Sequence, residues 1–295
     1  MITAEKISTF LSLPLYGDES LALPTFSKLD DLQPNTIVFA KKFKQEYQEV
    51  LNKNKQVLAI VSKEYEGNLD CSYIVSENPR LDFIKVLTEF YAEKQPRGNI
   101  HPSAVIEEGA TVAEDAVIGP YCYISSGSVV GHKTILHASV VVDNKSIIGD
   151  DCEIKSGVII GQSGFGFERD KDGYPIKFPH FGRVIIGNNV YVGANTAIDR
   201  GTLGDTIIEN NAKIDNLVHI AHNCHIGEGS FVIACTILGG GTHIGKNCWI
   251  APNVSVKEQT HINDGALVGL GAVVLKEVEA NTIVVGNPAR ILNKK

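Results

Sequence analysis

The chain has few aromatic residues, one tryptophan and one methionine, and no excess of basic residues. Its 295 residues carry a formal net charge of −7, and lysine and arginine are not clustered along the sequence, which argues against nucleic-acid binding and attraction to anionic membranes. No apolar run approaches the ~20 residues of a membrane span, and no apolar segment follows Met1 as in a signal peptide. We therefore expect a cytoplasmic protein without a nucleic-acid partner or a membrane span.

The sequence also lacks paired cysteines. Its six cysteines are scattered and form no CxxC motif, a distribution typical of reduced thiols rather than of a disulfide framework or a zinc ribbon. Glycine is frequent, with 28 residues, and this predicts many tight turns.

A six-residue repeat is the strongest positive signal. Every sixth residue from Ile100 to Ile160, and again from Ile208 to Val274, is Ile, Val or Leu. The position four residues after each of them is usually small. This pattern is typical of a hexapeptide solenoid, in which three repeats form one triangular coil of about 18 residues with parallel strands stacked about 4.8 Å apart. We predict a mostly β protein built on a left-handed parallel β-helix, the hand known for hexapeptide solenoids.

The repeat also predicts the cysteines' environment and the domain organisation. Four cysteines occupy the small inward position and should be inert core residues: Cys122, Cys152, Cys224 and Cys248. Residues 1–98 lack the repeat and mix short β-like and helix-like runs, so we predict a small α/β domain there and the solenoid at 99–295. The polar link with Pro96 and Gly98 suits a boundary.

Two segments interrupt the repeat. Residues 161–183 form an insertion rich in glycine and aromatics, and residues 199–206 add four residues to a coil. Loops that leave a solenoid often bind ligands. Because the longer one carries four phenylalanines, we expect it to pack against a neighbour or a ligand; a passive surface loop is the alternative.

One histidine is placed for chemistry. His222 follows the inward Ile220 by two positions and should point outward, and Gly240 comes one full coil later, directly above it. An imidazole that accepts a proton, next to a bare backbone N–H that can hold an oxyanion, is the minimum apparatus for acyl transfer. Asp215 and Asn216 precede His222 on the adjoining wall and could orient the ring or a substrate.

Two other groups of histidines raise the question of a metal. His225, His243 and His261 follow one another at intervals of one full coil and should stack as one column. Stacked rings on one wall converge poorly on an ion, so we predict no metal and favour a polar ladder, with a subunit interface as one setting for it. The pair His132 and His137 resembles two zinc ligands of the γ-class carbonic anhydrases, which keeps a zinc hydratase open as an alternative, together with a non-enzymatic scaffold.

Longer motifs resemble one family throughout both domains. The segments NIHPSAVIEEGATV, GFGF and GRVIIGNNVYVGANTAIDRGTLGDTIIENNAKIDNLVHIAHN, with LPTFSKLDDLQPNTIVFA and SENPRLDF near the start, are similar to the UDP-3-O-acylglucosamine N-acyltransferases of lipid A biosynthesis. The resemblance implies a homotrimer with active sites between subunits and an N-terminal domain that helps to hold uridine. It also implies an acyl carrier protein that donates a 3-hydroxyacyl chain to a glucosamine 2-amine, with no permanently bound cofactor.

The resemblance assigns roles by position. His222 falls on the catalytic general base, Asp215 on the aspartate that assists it, and Gly240 on the oxyanion-binding amide. Histidine suits the role of base near neutral pH, because the unperturbed pKa of an imidazole is about 6.5. The residues expected to contact substrate are Phe39, Phe43, Asn216 and Asn223.

Some positions depart from that family. Gln259 stands where a second substrate-contacting histidine is expected, and the segment FAKKF lacks the family's asparagine. The terminal VVGNPARILNKK resembles hexapeptide acetyltransferases that use coenzyme A. The alternative is therefore an acetyl- or acyl-coenzyme A-dependent N-acyltransferase that modifies a UDP- or dTDP-amino-sugar for surface glycans.

Overall fold

The computed structural model describes residues 1–92 and 98–292. The chain divides into two compact units, Met1–Lys94 and Gln95–Lys295; the predicted boundary, between residues 98 and 99, lies four residues further on. Within the described ranges, no helix has the length and apolar character needed to cross a bilayer.

The first unit is a small α/β fold. Its strands are β1 (Leu15–Tyr16), β2 (Thr25–Phe26), β3 (Thr36–Ala40), β4 (Val57–Val61) and β5 (Ser72–Val75), and its helices are α1 (Ala4–Leu11), α2 (Gln45–Lys53) and α3 (Pro79–Val86), with a 3₁₀ turn at Lys63–Tyr65 and a π turn at Leu87–Tyr91. The sheet has the order β1-β5-β4-β3-β2, parallel except for the antiparallel β1–β5 pair. The central strand β4 reads VLAIV and is buried along its whole length, as expected of a parallel strand covered on both faces.

The second unit is a three-walled parallel β-helix. Wall 1 contains Thr111–Val112, Val129–Val130, Ile147–Ile148, Val184–Ile186, Thr206–Ile208, His225–Ile226, His243–Ile244 and His261–Ile262. Wall 2 contains Val117–Ile118, Ile135–Leu136, Glu153–Ile154, Tyr191–Val192, Lys213–Ile214, Phe231–Val232, Trp249–Ile250, Leu267–Val268, Ile283–Val285 and the antiparallel Arg290–Ile291. Wall 3 contains Val105–Ile106, Tyr123–Ile124, Val141–Val142, Ile159–Ser163, Ala197–Arg200, His219–Ile220, Ile237–Leu238, Ser255–Val256 and Val273–Val274.

Strand pairing confirms the predicted coil length. A regular strand pairs with the strand three repeats later, as in the pair Ile220↔Leu238. The longer insertion lies between Ile160 and its partner Ile198, and the shorter one lies between Ile198 and its partner Ile220. Because the aliphatic residues on both sides of each insertion still pair, the extra residues leave the prism without disturbing its core.

The interior is filled as the repeat predicts. The inward Ile, Val and Leu side chains of the repeat form one continuous buried cluster from Ile118 onward, with Ile106 and Val112 partly buried against it and Ile100, at the start of the repeat, 48% exposed. The four cysteines at the small position are buried in the same cluster. Burial raises the pKa of Cys224 to about 12, so this thiol stays protonated at neutral pH and is a poor nucleophile. The prediction of inert core cysteines is confirmed.

The longer insertion carries its own hairpin. Phe167–Arg169 pairs antiparallel with Pro175–Lys177. Phe165 and Phe181 are 89% and 72% exposed within the chain, so the described residues of the chain leave these two rings uncovered.

Candidate active site

His222 and Gly240 lie together as the coil period predicts. His222 follows the wall 3 strand His219–Ile220, with Ile220 fully buried and the imidazole half-buried outside the prism. A β-carbon added to Gly240 would lie 2.7 Å from Cε1 and 2.8 Å from Nε2 of this ring, so any larger residue at this position would push the imidazole aside. The N–H of Gly240 donates to no acceptor in the part of the chain that the structure describes.

Asn223 fixes the orientation of the imidazole. Its Oδ1 lies 3.0 Å from His222 Nδ1 and also accepts hydrogen bonds from the backbone N–H (3.0 Å) and hydroxyl (2.9 Å) of Thr202. Because that oxygen only accepts, Nδ1 carries the proton in the neutral ring, and Nε2 then has the lone pair. Thr202 belongs to the four-residue insertion. The contact of Asn223 with substrate stays a prediction; within the chain, its amide oxygen positions the ring.

A second imidazole reaches the site from the longer insertion. His180 is only 4% exposed, and its ring centroid lies 5.3 Å from that of His222 in an edge-to-face arrangement. Its Nδ1 donates to the carbonyl of Phe178 (2.9 Å), and its Nε2 has no hydrogen-bond partner among residues 1–92 and 98–292. The sequence analysis did not identify His180.

Asp199 places a carboxylate beside these rings. A methyl group at Gly164 would lie 3.0 Å from His180 Nε2 and 3.1 Å from His222 Cδ2, and 3.2 Å from Oδ2 of Asp199. The same Oδ2 lies 3.9 Å from His219 Nε2. Gly164 therefore allows the insertion to approach a cluster of three imidazoles and one carboxylate.

Burial sets the protonation of this cluster. It lowers the pKa of His180, and the nearby rings and guanidinium of His222 and Arg200 add to that effect. It raises the pKa of Asp199, although the three surrounding imidazoles oppose the shift. A neutral His180 beside His222 avoids placing two adjacent positive charges in one partly buried site.

Asp215 and Asn216 lie on a different wall from His222. They follow the wall 2 strand Lys213–Ile214, and the Asp215 carboxylate accepts hydrogen bonds from the N–H groups of Asn216 (2.7 Å) and Ala234 (3.3 Å). The Asn216 Oδ1 accepts from the N–H of Ala194 (2.7 Å). The described part of the chain thus does not bring Asp215 to its own His222, and the carboxylate beside the ring is Asp199.

The two predicted aromatic contacts lie in the first unit. Phe39 packs against Phe83 with a centroid distance of 4.9 Å and lines a cavity of about 830 Å³, together with Phe26 and Tyr47. Phe43 does not line that cavity and packs against Tyr65. The cavity is suited to a planar base, because aromatic rings offer stacking surfaces.

The histidine column forms as predicted. His225 pairs with His243, and His243 with His261, with ring centroids 4.5 and 5.4 Å apart. His225 Nε2 lies 2.9 Å from a carboxylate oxygen of Glu209. Across residues 1–92 and 98–292, no group of three or more His, Cys, Asp or Glu side chains has a metal-binding arrangement.

Comparison with known proteins gives the same fold. The family described as "Bacterial transferase hexapeptide (six repeats)" matches residues 98–132, 205–240 and 241–276, and the second match contains His222 and Gly240. A UDP-N-acetylglucosamine acyltransferase from Campylobacter jejuni aligns with a TM-score of 0.61 and 26% identity over 66% of this chain and 74% of its own. A UDP-N-acetylglucosamine O-acyltransferase from Moraxella catarrhalis aligns with a TM-score of 0.60 and 29% identity, over 65% and 73%. These are left-handed β-helix acyltransferases, and the predicted fold class is confirmed.

Sequence relatives cover both units. A UDP-3-O-acylglucosamine N-acyltransferase from Coxiella burnetii is 33% identical over 287 residues, which is 91% of this chain and 83% of the relative. A protein of the same name from Cupriavidus pinatubonensis is 38% identical over 236 residues, 72% and 65% of the two chains. With this similarity over most of both chains, and with a glycine-capped imidazole on wall 3, the protein belongs to the UDP-3-O-acylglucosamine N-acyltransferase family.

Proposed function

We propose that the protein transfers a 3-hydroxyacyl group from an acyl carrier protein thioester to the 2-amine of a UDP-3-O-acylglucosamine in lipid A biosynthesis. The observation that carries the proposal is the pairing of His222, whose Nε2 is free to accept a proton, with the bare N–H of Gly240. The names of the relatives supply the substrate class.

In the proposed reaction, the amine nitrogen attacks the thioester carbonyl carbon and forms the new C–N bond. His222 Nε2 takes the proton released by the nitrogen, and the Gly240 N–H donates to the developing oxyanion. The tetrahedral intermediate then collapses, the C–S bond breaks, and the thiolate recovers the proton from His222. The Nδ1–H···Oδ1 contact with Asn223 stabilises the imidazolium formed between these steps.

Uridine recognition is proposed for the cavity of the first unit. Phe39, Phe26 and Tyr47 offer aromatic surfaces, and lysines in the cavity lining offer donors for phosphate or ribose oxygens. Phe43, predicted to share this role, lies 44% exposed outside the cavity lining. In this proposal Phe39 provides the stacking surface.

We further propose a cytoplasmic homotrimer, the usual assembly of hexapeptide acyltransferases. The outward face of wall 2 supports an interface, because Phe231 and Trp249 pack at a tilt of 33° with centroids 5.2 Å apart and are 42% and 44% exposed. Asp215 lies at the edge of this face and lines a small cavity with Phe231. Asp215 would then assist a histidine of the neighbouring subunit rather than its own.

A donor comparison tests the function. Purified protein is incubated with UDP-3-O-acylglucosamine and either 3-hydroxyacyl carrier protein or acetyl-coenzyme A, and the product is identified by mass spectrometry. We expect an N-acylated sugar that gains the hydroxyacyl mass, formed only with the carrier-protein donor and absent with His222→Ala. Transfer of acetyl from coenzyme A to a UDP- or dTDP-amino-sugar would favour the alternative, and no N-acylation with either donor would refute both.

A further inference from the structure

Asp199 carries a mostly buried carboxylate that has no hydrogen bond within the described chain. Its side chain is 13% exposed, and its contact with the ring of His219 is long, with Nε2 3.9 Å from Oδ2. Among residues 1–92 and 98–292, no N–H or O–H group donates to either carboxylate oxygen. An ionised carboxylate normally accepts several hydrogen bonds, and leaving it without donors in a partly buried site costs free energy. A ligand with N–H donors would remove that penalty.

The carboxylate borders the same space as the proposed base. Asp199 follows Ile198, which pairs with Ile220 in the next coil of wall 3, and His222 comes two residues after Ile220. A methyl group at Gly164 would lie 3.2 Å from Asp199 Oδ2 and 3.1 Å from His222 Cδ2. Because glycine has no side chain to cover Oδ2 on this side, a nitrogen atom bound beside His222 can also contact the carboxylate.

The charge of this cluster favours a cation. Three imidazoles surround Asp199, those of His180, His219 and His222. Burial lowers the pKa of His180, so this ring adds no positive charge at neutral pH. The guanidinium of Arg200 acts on His180 but is not among the charges that act on Asp199. With neutral rings, the cluster carries the single negative charge of the carboxylate and attracts a positively charged group.

We propose that Asp199 binds the acceptor amine as an ammonium ion and removes the first of its two protons, an inference that rests on the proposed function. Amino groups of this kind are largely protonated at neutral pH, as α-amino groups are with a pKa of about 7.7–8.0. An ammonium nitrogen has no lone pair and cannot attack a thioester. It must lose one proton before the C–N bond forms and a second afterwards, and His222 takes only the second.

His219 offers the first proton a route to solvent. The proton moves from the ammonium to the Asp199 carboxylate, then to Nε2 of His219, whose side chain is 46% exposed, and from there to water. This restores the carboxylate and leaves a neutral amine with its lone pair beside His222. Burial raises the pKa of Asp199, which brings its proton affinity closer to that of an amine and makes the transfer easier.

The kinetic test uses Asp199→Asn, which keeps the shape and one acceptor oxygen but cannot take a proton. Asp115→Asn is the matched control, because Asp115 also lies beside an imidazole, with Oδ1 2.9 Å from His132 Nδ1, but in an early coil of the solenoid. The measurement is kcat/KM for UDP-3-O-acylglucosamine from pH 6.5 to 9, with circular dichroism to confirm folding.

We expect Asp199→Asn to lower kcat/KM about 10- to 100-fold at pH 7 and to come within about threefold of wild type at pH 9, where the substrate is already a free amine. Asp115→Asn should follow the wild-type profile. A loss of equal size at every pH would overturn the proposal in favour of a structural role. A profile displaced to lower pH would also overturn it, because removing a negative charge favours neutral imidazoles and would indicate that Asp199 acts only on the rings.

A binding measurement on the wild-type protein needs neither a variant nor turnover. Without donor at pH 7, calorimetry compares UDP-3-O-acylglucosamine with UDP-3-O-acylglucose, which carries a hydroxyl in place of the amine. We expect about tenfold tighter binding of the amino sugar, and loss of this preference in Asp199→Asn. Equal wild-type affinities would refute the ammonium site while N-acylation still stands. If wild type acylates no amino sugar, the proposed function fails, and the same comparison still decides whether Asp199 holds an ammonium ion.

Discussion

Gly240→Ala is the sharpest test of the geometry at His222. The added methyl group would lie 2.7 Å from Cε1 and 2.8 Å from Nε2 of the imidazole, so the ring must retreat by about 0.7 Å to restore an ordinary 3.4 Å contact. The backbone at residue 240 accepts alanine, because the φ angle of Gly240 lies outside the left-handed region. The left-handed position belongs to the next residue, Gly241 (φ +69°). The N–H of residue 240 is retained, and the substitution therefore perturbs the base and spares the oxyanion donor.

The retreat would misalign Nε2 with the attacking amine or break the 3.0 Å contact with Asn223. Misplacing a catalytic group by about 1 Å can reduce the rate about 100-fold, so we expect kcat to fall roughly 30- to 100-fold with little change in KM or melting temperature. Steady-state N-acylation and thermal unfolding measure these quantities.

Gly269→Ala is the matched control. Its methyl group would also be crowded, at 2.6 Å from Cγ1 of Val285, but it meets an aliphatic side chain rather than an imidazole. We expect a modest loss of stability and near-normal kcat. A Gly240→Ala enzyme that turns over within threefold of wild type would refute the claim that His222 acts from this confined position.

Three further predictions concern the histidines. His222→Ala should lower kcat about 10²- to 10⁴-fold while the melting temperature changes little, because the ring lies outside the buried core; retained turnover would exclude it as the base. Asn223→Gly keeps the left-handed backbone (φ +61° in the native chain) but removes the amide, and should lower kcat at least tenfold with unchanged far-UV circular dichroism; unchanged kcat would show that His222 orients without it. Burial and the flanking His225 and His261 lower the pKa of His243, so the unfolded chain binds this proton more tightly. The wild-type melting temperature should fall as pH drops below about 6.5, and His243→Gln should lose less over the same range; equal losses would contradict the assignment.

The six-residue repeat correctly predicted the contacts between residues that lie one full coil apart. The length of one coil placed Gly240 over His222 and stacked His225 under His243, because parallel strands in register align every coil. It also predicted the burial of Cys224. These relations need only the position of each residue within the repeat.

The residues missed lie where the winding is irregular. His180 returns to the site through an insertion whose path no period describes. Asp199 could have been found, because the pairing of Ile198 with Ile220 across the shorter insertion places it below Ala221, next to His222. The roles of Asp215 and of the exposed phenylalanines depend on surfaces that a single chain leaves uncovered, and composition alone does not reveal what covers them.

The shorter insertion contributes to the orientation of His222 and not to the core of the β-helix. Ile198 and Ile220 meet across it in the same parallel register as any regular pair, so shortening the segment to a normal turn would spare the prism while removing Thr202, the anchor of Asn223. Such a deletion would yield a well-folded but slow enzyme. Substitutions within residues 199–206 are therefore expected to change turnover more than they change stability.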